Sequence, residues 1–271
     1  MSMMEEIWRS AVQRPDPHLA RVYAYLLGSK DGFAADRELA EKLKKTAPWI
    51  VGSVRANRAF LLDSVRRLAE EGVTQFLEIG SGLPVDPNVH DVVHAVRPDA
   101  RVVYVDNDDV VLANARALMA PDDRVSVIKG DLWSPREILE DVAELPGIDL
   151  DRPVALLLVA ILHFVTDDVS AAAIVATFAA DLCPGSYIVI SQTSAENDAR
   201  GRATREAAAE YSAAVTPFRV RDKAQVGALF GPCELIPPGL ERLTYQGRPV
   251  TIVAGIARTT GQPHGDDEHH R

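Results

Sequence analysis

The chain has 271 residues, 47% hydrophobic and 25% charged, which places it among ordinary globular proteins of one domain, or one domain with an appendage. Its formal net charge of -10 denies it the cationic surface that a nucleic-acid backbone requires, so DNA and RNA are poor partners. Two cysteines without metal spacing, Cys183 and Cys233, read as free thiols of a reducing compartment rather than a disulfide framework.

The opening "MSMMEEIWRS" carries acids where a signal peptide carries bases, and the longest apolar run, Val154 to Leu162, is short for a membrane span. A cytoplasmic protein without a membrane partner is expected. In "HLARVYAYLLG" the residues Leu19, Val22, Tyr23 and Leu26 share one helix face, and Gly28 can end the helix. A second, more polar helix is "AADRELAEKLKKTA". A third starts near Pro48 or Ser53 and reaches Gly72, with Val54, Leu61, Leu62, Val65 and Leu68 as its apolar stripe.

From Gln75 the pattern changes to strands alternating with helices. The strands are "QFLEI", "RVVYVD", "RVSVIKG", "PVALLLVA" and "SYIVIS", and the helices between them run from Val89 to Val96, Val110 to Met119, Pro135 to Ala143 and Ser170 to Leu182. Such alternation predicts a parallel sheet with helices on both faces, and "PVALLLVA" reads as a central strand. A polar helix follows from Asp198 to about Ala214, then "RDKAQVGALFG" and two late strands, "CELI" and "VTIVAGIAR". The tail from Thr259 lacks apolar periodicity and is expected to be disordered, its three histidines solvated rather than metal-binding.

The chemistry concentrates in "QFLEIGSGLPVDPNVH". Gly80 and Gly82 fill the first two places of a nucleotide-binding turn, but the third falls on Val85, and Asp86 would repel a diphosphate. S-adenosylmethionine, which has a ribose and an adenine but no phosphate, fits this turn better than NAD. Asp106 ends the second strand, 24 residues after Gly82 and close to the roughly 20-residue spacing of a ribose-binding acid. Asp108 or Asp109 can cap the helix that follows. Asp131 follows the third strand, where it can reach the adenine amine with Leu132 against the ring, or serve only as a turn residue.

The segments "ARVYAYLLGSKDGFAADR", "ANRAFL", "FLEIGSGLPVDPNVH", "ARVVYVDNDDVVLANARALM", "RPVALLLVAILHFV" and "PGSYIVIS" closely resemble a bacterial family of S-adenosylmethionine-dependent methyltransferases once known only as a domain of unknown function. The resemblance runs in order from Pro17 to Arg258. It implies an α/β, Rossmann-like class I methyltransferase fold: a mostly parallel seven-stranded sheet with an antiparallel last strand and an N-terminal helical cap. It also implies that Glu78, Gly80 and Gly82 form the cofactor turn, that Asp106 and Asn107 meet the ribose and adenine side, and that Asp131 and Leu132 meet the base. Family members often read Gly-Gly-Lys-Asp-Asn where this chain has Gly28, Ser29, Lys30, Asp31 and Gly32. The expected organisation is a cap over residues 1–72, a cofactor-binding domain over 73–258 and a tail over 259–271.

Other residues carry alternatives. Arg58 falls on the inward stripe of the third helix, where a guanidinium needs an anion: an internal carboxylate, or the cofactor's methionine carboxylate, with Asn57 sharing that task. His163, after the fourth strand, should face the reacting methyl group and can act as a general base, its reference pKa being near neutrality, or merely shape the pocket. His90 and His94 stand at i and i+4 without a third ligand and read as a helix-surface pair. Cys183 precedes a Pro-Gly turn and reads as a small apolar side chain. Tyr23 lies on its helix's apolar stripe and reads as core, whereas Tyr25 lies off it, facing either the pocket or solvent. The function expected is methyl transfer to a small-molecule oxygen or nitrogen with no metal. The alternatives are an NAD-dependent oxidoreductase and a non-catalytic cofactor-binding sensor or partner protein.

Overall fold

The computed structural model describes residues 16–30, 32–119 and 122–260. Three helices come first: α1 (Leu19–Leu27), α2 (Ala34–Thr46) and α3 (Ile50–Glu70). Gly28 ends α1 in the left-handed region (φ 112°), with its N–H donating to the Ala24 and Tyr25 carbonyls. The alternating segment then supplies β1 (Gln75–Ile79), α4 (Val89–Val96), β2 (Arg101–Asp106), α5 (Asp109–Met119), β3 (Val125–Lys129), α6 (Pro135–Ala143), β4 (Ala155–Val159), α7 (Asp168–Asp181) and β5 (Tyr187–Thr193). A single 3₁₀ turn, Leu162–Phe164, separates β4 from α7. The chain closes with α8 (Ala199–Ala214), α9 (Lys223–Ala228), β6 (Glu234–Leu235), β7 (Glu241–Tyr245) and β8 (Arg248–Arg258).

Among the described residues the sheet has eight strands rather than the expected seven, in the order β3-β2-β1-β4-β5-β8-β6, with β7 also on β8. Strands β1 to β5 pair in parallel, and β8 runs antiparallel to β5, β6 and β7. The additional strand is β7, joined to β8 by Gln246 and Gly247, both at positive φ as a tight hairpin turn requires. Its residues are mostly half-exposed, so it lacks the apolar run that marked the other strands.

Alternate residues of the sheet feed two cores. Leu77, Val103, Leu156 and Ile188 pack with α6 and α7 on one face, through Ile138, Val142, Val175 and Phe178. Phe76, Val102, Leu157 and Val189 pack on the other face with Leu61, Val65 and Leu68 of α3 and Val89 and Val93 of α4. A third cluster joins Val22 and Leu26 of α1, Leu39 and Leu43 of α2, Val54 of α3 and Ala207 of α8. Helix α3 thus belongs to both layers: its first half holds the helical layer, and its second half lies on the sheet.

Thr259, expected to open the disordered tail, is buried, and its hydroxyl donates to the Cys183 carbonyl at 3.0 Å. Residues 261–271 with the three tail histidines, residues 1–15 of the expected cap, and Asp31 lie outside the described residues.

Candidate cofactor and acceptor site

The strand order reverses beside β1, which pairs with β2 on one side and β4 on the other, so a crevice opens at the strands' carboxyl ends. A cavity of about 590 Å³ lies there, roofed by the helical layer. All nine residues singled out from the sequence line it: Arg58, Glu78, Gly80, Gly82, Asp106, Asn107, Asp131, Leu132 and His163.

The turn after β1 is held by β2. Gly80 and Ser81 donate their N–H groups to the Val105 carbonyl, and the Gly82 N–H donates to Asp106 Oδ2 at 2.9 Å. Both glycines have positive φ, 72° and 65°, a conformation costly for any side chain, and a Cβ on Gly80 would stand 2.5 Å from Ile161 Cδ1. Asp106 Oδ1 accepts the Asp108 N–H at 3.0 Å. Burial nonetheless raises the Asp106 carboxyl above its usual pKa, with those backbone amides pulling it back down.

Helix α4 does not open at the glycines, as a diphosphate site needs, but only at Val89. Its first amides are taken inside the protein: Asn88 N–H donates to Asp91 Oδ2 at 2.7 Å and His90 N–H to Tyr104 Oη at 2.9 Å. No free helix N-terminus is left facing the turn for a pyrophosphate.

Glu78 is buried near the turn. Burial pushes its carboxyl up to about 7, the Arg58 charge drawing it down and Asp106 pushing it further up. Of the two alternatives for Arg58, an ion pair with an internal carboxylate does not form among the described residues. Arg58 Nη2 donates to two carbonyls of the loop beyond the glycines, Val85 at 2.7 Å and Pro87 at 2.6 Å, so it fastens that loop, while its Nε is buried without a protein partner. The two carbonyls satisfy Nη2 of the half-buried guanidinium and leave Nε as a donor still to be matched.

Asp131 is exposed, and its Oδ1 accepts the Trp133 N–H at 3.0 Å, closing the turn in which Leu132 points inward. Asp108 Oδ1 accepts the Val110 and Val111 N–H groups and caps α5, while Oδ2 meets His18 Nε2 at 2.8 Å. Burial alone would raise the Asp108 carboxyl, but the His18 contact and the two amides outweigh it and hold it at about 2.

His163 sits in the 3₁₀ turn after β4, stacked on Phe218 at 4.1 Å between ring centroids, with Phe164 edge-on at 4.3 Å. Ala160, three residues earlier and just past the end of β4, has φ 56°, an unusual conformation for alanine. Burial, helped by the Arg221 charge, lowers the imidazole to about 3, so the near-neutral pKa expected from its reference value does not hold. Its Nδ1 is buried without a protein partner. Arg221, itself fully buried, fixes this turn by donating to the Leu162 and Val165 carbonyls and to Asp168 Oδ1.

A family model described as S-adenosyl methyltransferase matches residues 5–252. The chain belongs to the S-adenosyl methyltransferase family. It is similar to a candidate methyltransferase from Thermobifida fusca at 36% identity and TM-score 0.84, over 93% of this chain and 98% of that one. A protein from Streptomyces avermitilis, of a family of unknown function, matches at 35% identity and TM-score 0.83, over 90% of this chain and 98% of that one. Human N-acetylserotonin methyltransferase in complex with S-adenosylmethionine shares the fold alone, at 15% identity and TM-score 0.51 over 93% of this chain and 65% of that one. No curated protein matches in sequence.

This S-adenosylmethionine-dependent methyltransferase brings to its cavity residues that sequence reasoning missed. Tyr23 lines it rather than a sealed core, and Asn57 Nδ2 donates to the Tyr23 hydroxyl at 2.9 Å. Tyr25 instead turns away and donates to Glu41 Oε1 at 3.0 Å. The stripe that held Tyr23 was legible, but periodicity reports an inward face and not whether that face meets packing or a cavity. Trp133, 58% exposed, lines the cavity at the Asp131 turn, and Phe218 reaches it from the segment after α8. His90 and His94 are partly buried rather than on the surface, bonded to Tyr104 Oη and the Ala100 carbonyl. Among the described residues no group of three or more potential metal ligands occurs, no helix is long and apolar enough to cross a membrane, and both cysteines are free thiols.

Proposed function

We propose that the methyltransferase moves the methyl group of S-adenosylmethionine to an oxygen or nitrogen of a small cytoplasmic molecule, not a nucleic acid. The observation that carries this is one continuous cavity joining the glycine turn to an aromatic wall beneath the helical layer, a shape that takes a cofactor and a compact second molecule together.

The residues present fit the cofactor. Asp106 would take the ribose hydroxyls, with Asn107 beside it towards the adenine, and Asp131 and Leu132 would take the adenine edge and face. Glu78 would face the amino group of the methionine end, which an acid accommodates and a phosphate site would not. Ser81 Oγ and Arg58 Nε, both buried without protein partners at the cavity wall, are donors suited to the methionine carboxylate. When bound, the cofactor supplies an electrophilic methyl on a sulfonium.

The protein's own part is alignment and exclusion of water by the helical layer. His163 is neutral across the physiological range, so it acts as a hydrogen-bond acceptor that orients the nucleophile's O–H or N–H and receives its proton late, rather than as a strong base. Following the expected organisation, the helices before residue 72 act as a cap over the cofactor-binding domain.

Calorimetric titration with S-adenosylhomocysteine and NAD in parallel tests the donor site, followed by a tritiated-methyl transfer screen against small alcohols, phenols and amines. Micromolar homocysteine-ligand binding, silence from NAD and label in a small-molecule fraction support the reading. Transfer confined to protein or nucleic acid overturns it. A chain that binds the ligand and transfers no methyl to any acceptor would favour a sensor instead.

A further inference from the structure

The charged and polar lining of the cavity is sharply divided. His18, Arg58, Glu78, Asp106, Asp108 and Asp131 all cluster around the glycine turn and the ends of β1 to β3. The other half is built from Leu26, Leu43, Val54 and Ala207 of the helical layer on one side and an aromatic box on the other. That box packs His163 against Phe218 at 4.1 Å, with Phe164 and Tyr211 edge-on to Phe218 at 5.7 Å and 5.5 Å. Among the described residues that line this half, none carries a charge at neutral pH, because His163 is held neutral.

Three of the hydroxyls here are spent within the protein. Ser53 Oγ and Thr251 Oγ1 bond to each other at 3.0 Å, and Thr204 Oγ1 donates to the Arg200 carbonyl at 2.9 Å. Arg200 packs on the Trp49 ring at 4.8 Å but does not itself line the cavity. A charged acceptor would lose its water here and find no counter-charge in exchange.

A few neutral polar contacts remain open, Trp49 Nε1 among them, which is buried without a protein partner. Tyr23 accepts from Asn57 Nδ2, and Asn57 Oδ1 accepts in turn from Ser191 Oγ, so the phenol keeps its own O–H to donate. The hydroxyl lies close enough to Glu78 and Arg58 to feel both charges, at the junction of the two halves. A further open contact is the imidazole of His163.

We infer that the acceptor is an uncharged, flat and largely apolar molecule, a phenol or a ring-borne alcohol, lying along the aromatic box with its one polar group turned towards Tyr23 and His163. This rests on the methyl-transfer reading above and narrows its substrate class. Rings against Phe218 and Phe164 gain dispersion and edge-to-face contact beyond simple burial.

The test uses the full chain with S-adenosylhomocysteine bound, its affinity measured first. 2-Naphthol, 2-naphthoate and 2-naphthylmethylammonium are then titrated as neutral, anionic and cationic probes of one shape. The naphthol is expected to bind at least about tenfold more tightly than either ion, and Phe218→Leu to weaken it about tenfold while leaving the homocysteine-ligand affinity unchanged. A charged probe that binds as well as the naphthol, or no probe binding in a chain that holds the homocysteine ligand, overturns the inference. Failure to hold that ligand at all is a separate result, removing the donor site and the inference together.

Discussion

His18 Nε2 stands 2.8 Å from Asp108 Oδ2, a contact between residues 90 apart in sequence that ties the start of the helical layer to the end of β2. The same histidine's backbone N–H donates to Asp36 Oδ1, and Asp36 in turn binds Arg21 Nε at 2.8 Å in a fully buried pair. The layer that roofs the cofactor site is therefore anchored to the loop that follows Asp106.

Asp108 does two jobs, capping α5 and receiving His18, so Asp108→Ala should destabilise the protein by about 2 kcal/mol at neutral pH. Its folded pKa is depressed to about 2, below the unfolded value near 4. Its stabilisation is thus present above about pH 4 and lost as pH falls through about 2. Denaturant melts of the two proteins at pH 7 and near pH 2 should show the difference shrinking at the lower value; an equal difference at both would dissociate Asp108 from the contact.

Glu78 should report cofactor entry through protons. Burial pushes its carboxyl up to about 7, and the cofactor ammonium proposed to lie beside it would favour the ionised form. Binding at pH 7 should release a sizeable fraction of a proton, visible as a dependence of calorimetric enthalpy on buffer ionisation heat. Because the folded pKa lies above the unfolded one, Glu78's contribution to stability is fully present below about pH 4 and is lost as pH rises through about 7. Glu78→Gln should therefore stabilise the ligand-free protein at pH 8, by up to about 3 kcal/mol, while removing the proton release. No stabilisation at pH 8 would show that the carboxylate finds a partner in the folded chain.

The parts of this site that were legible in the sequence are those whose chemistry is local. A left-handed turn demands glycine, so Gly80 and Gly82 announced themselves, and Asp106 followed from its place at a strand end. The delayed start of α4 was implied by Val85 and Asp86, although not that Tyr104 and Asp91 would occupy its amides. Tyr23, His18, Trp133 and Phe218 escaped because each reaches the cavity through tertiary packing. The strand β7 escaped for a related reason: Glu241 to Tyr245 is a strand only because β8 lies beside it to accept its hydrogen bonds.

Asp106 gives the sharpest test of the donor side. Its two oxygens hold the Gly82 and Asp108 amides, so the residue shapes the turn as well as lining the cavity. Asp106→Ala should weaken S-adenosylhomocysteine binding by at least about tenfold, since a charge-assisted hydrogen bond is worth about 1.5–3 kcal/mol. Asp106→Asn, which keeps one acceptor oxygen and the side-chain volume, should lose less. Equal affinities for the wild type and Asp106→Ala would remove this residue from the site.

Arg221 should govern turnover without touching either ligand. Its guanidinium holds the Leu162 and Val165 carbonyls on both sides of His163, and the Arg219 N–H donates to the His163 carbonyl itself at 2.7 Å. Replacing the fully buried arginine by methionine leaves two carbonyls without their donor and Asp168 without that partner, a loss of about 3 kcal/mol. The cofactor turn lies on other strands, so S-adenosylhomocysteine affinity should hold, while kcat falls because the imidazole is no longer fixed against Phe218. His163→Gln, which preserves a hydrogen-bond acceptor without the ring, should retain more activity than His163→Ala. With the imidazole held at about 3, neither the wild type nor Arg221→Met should show an activity rise centred on the ordinary histidine pKa near 6.5. A rise there in the wild type that disappears in His163→Gln would mean that the imidazole titrates in the working complex and serves as a true general base.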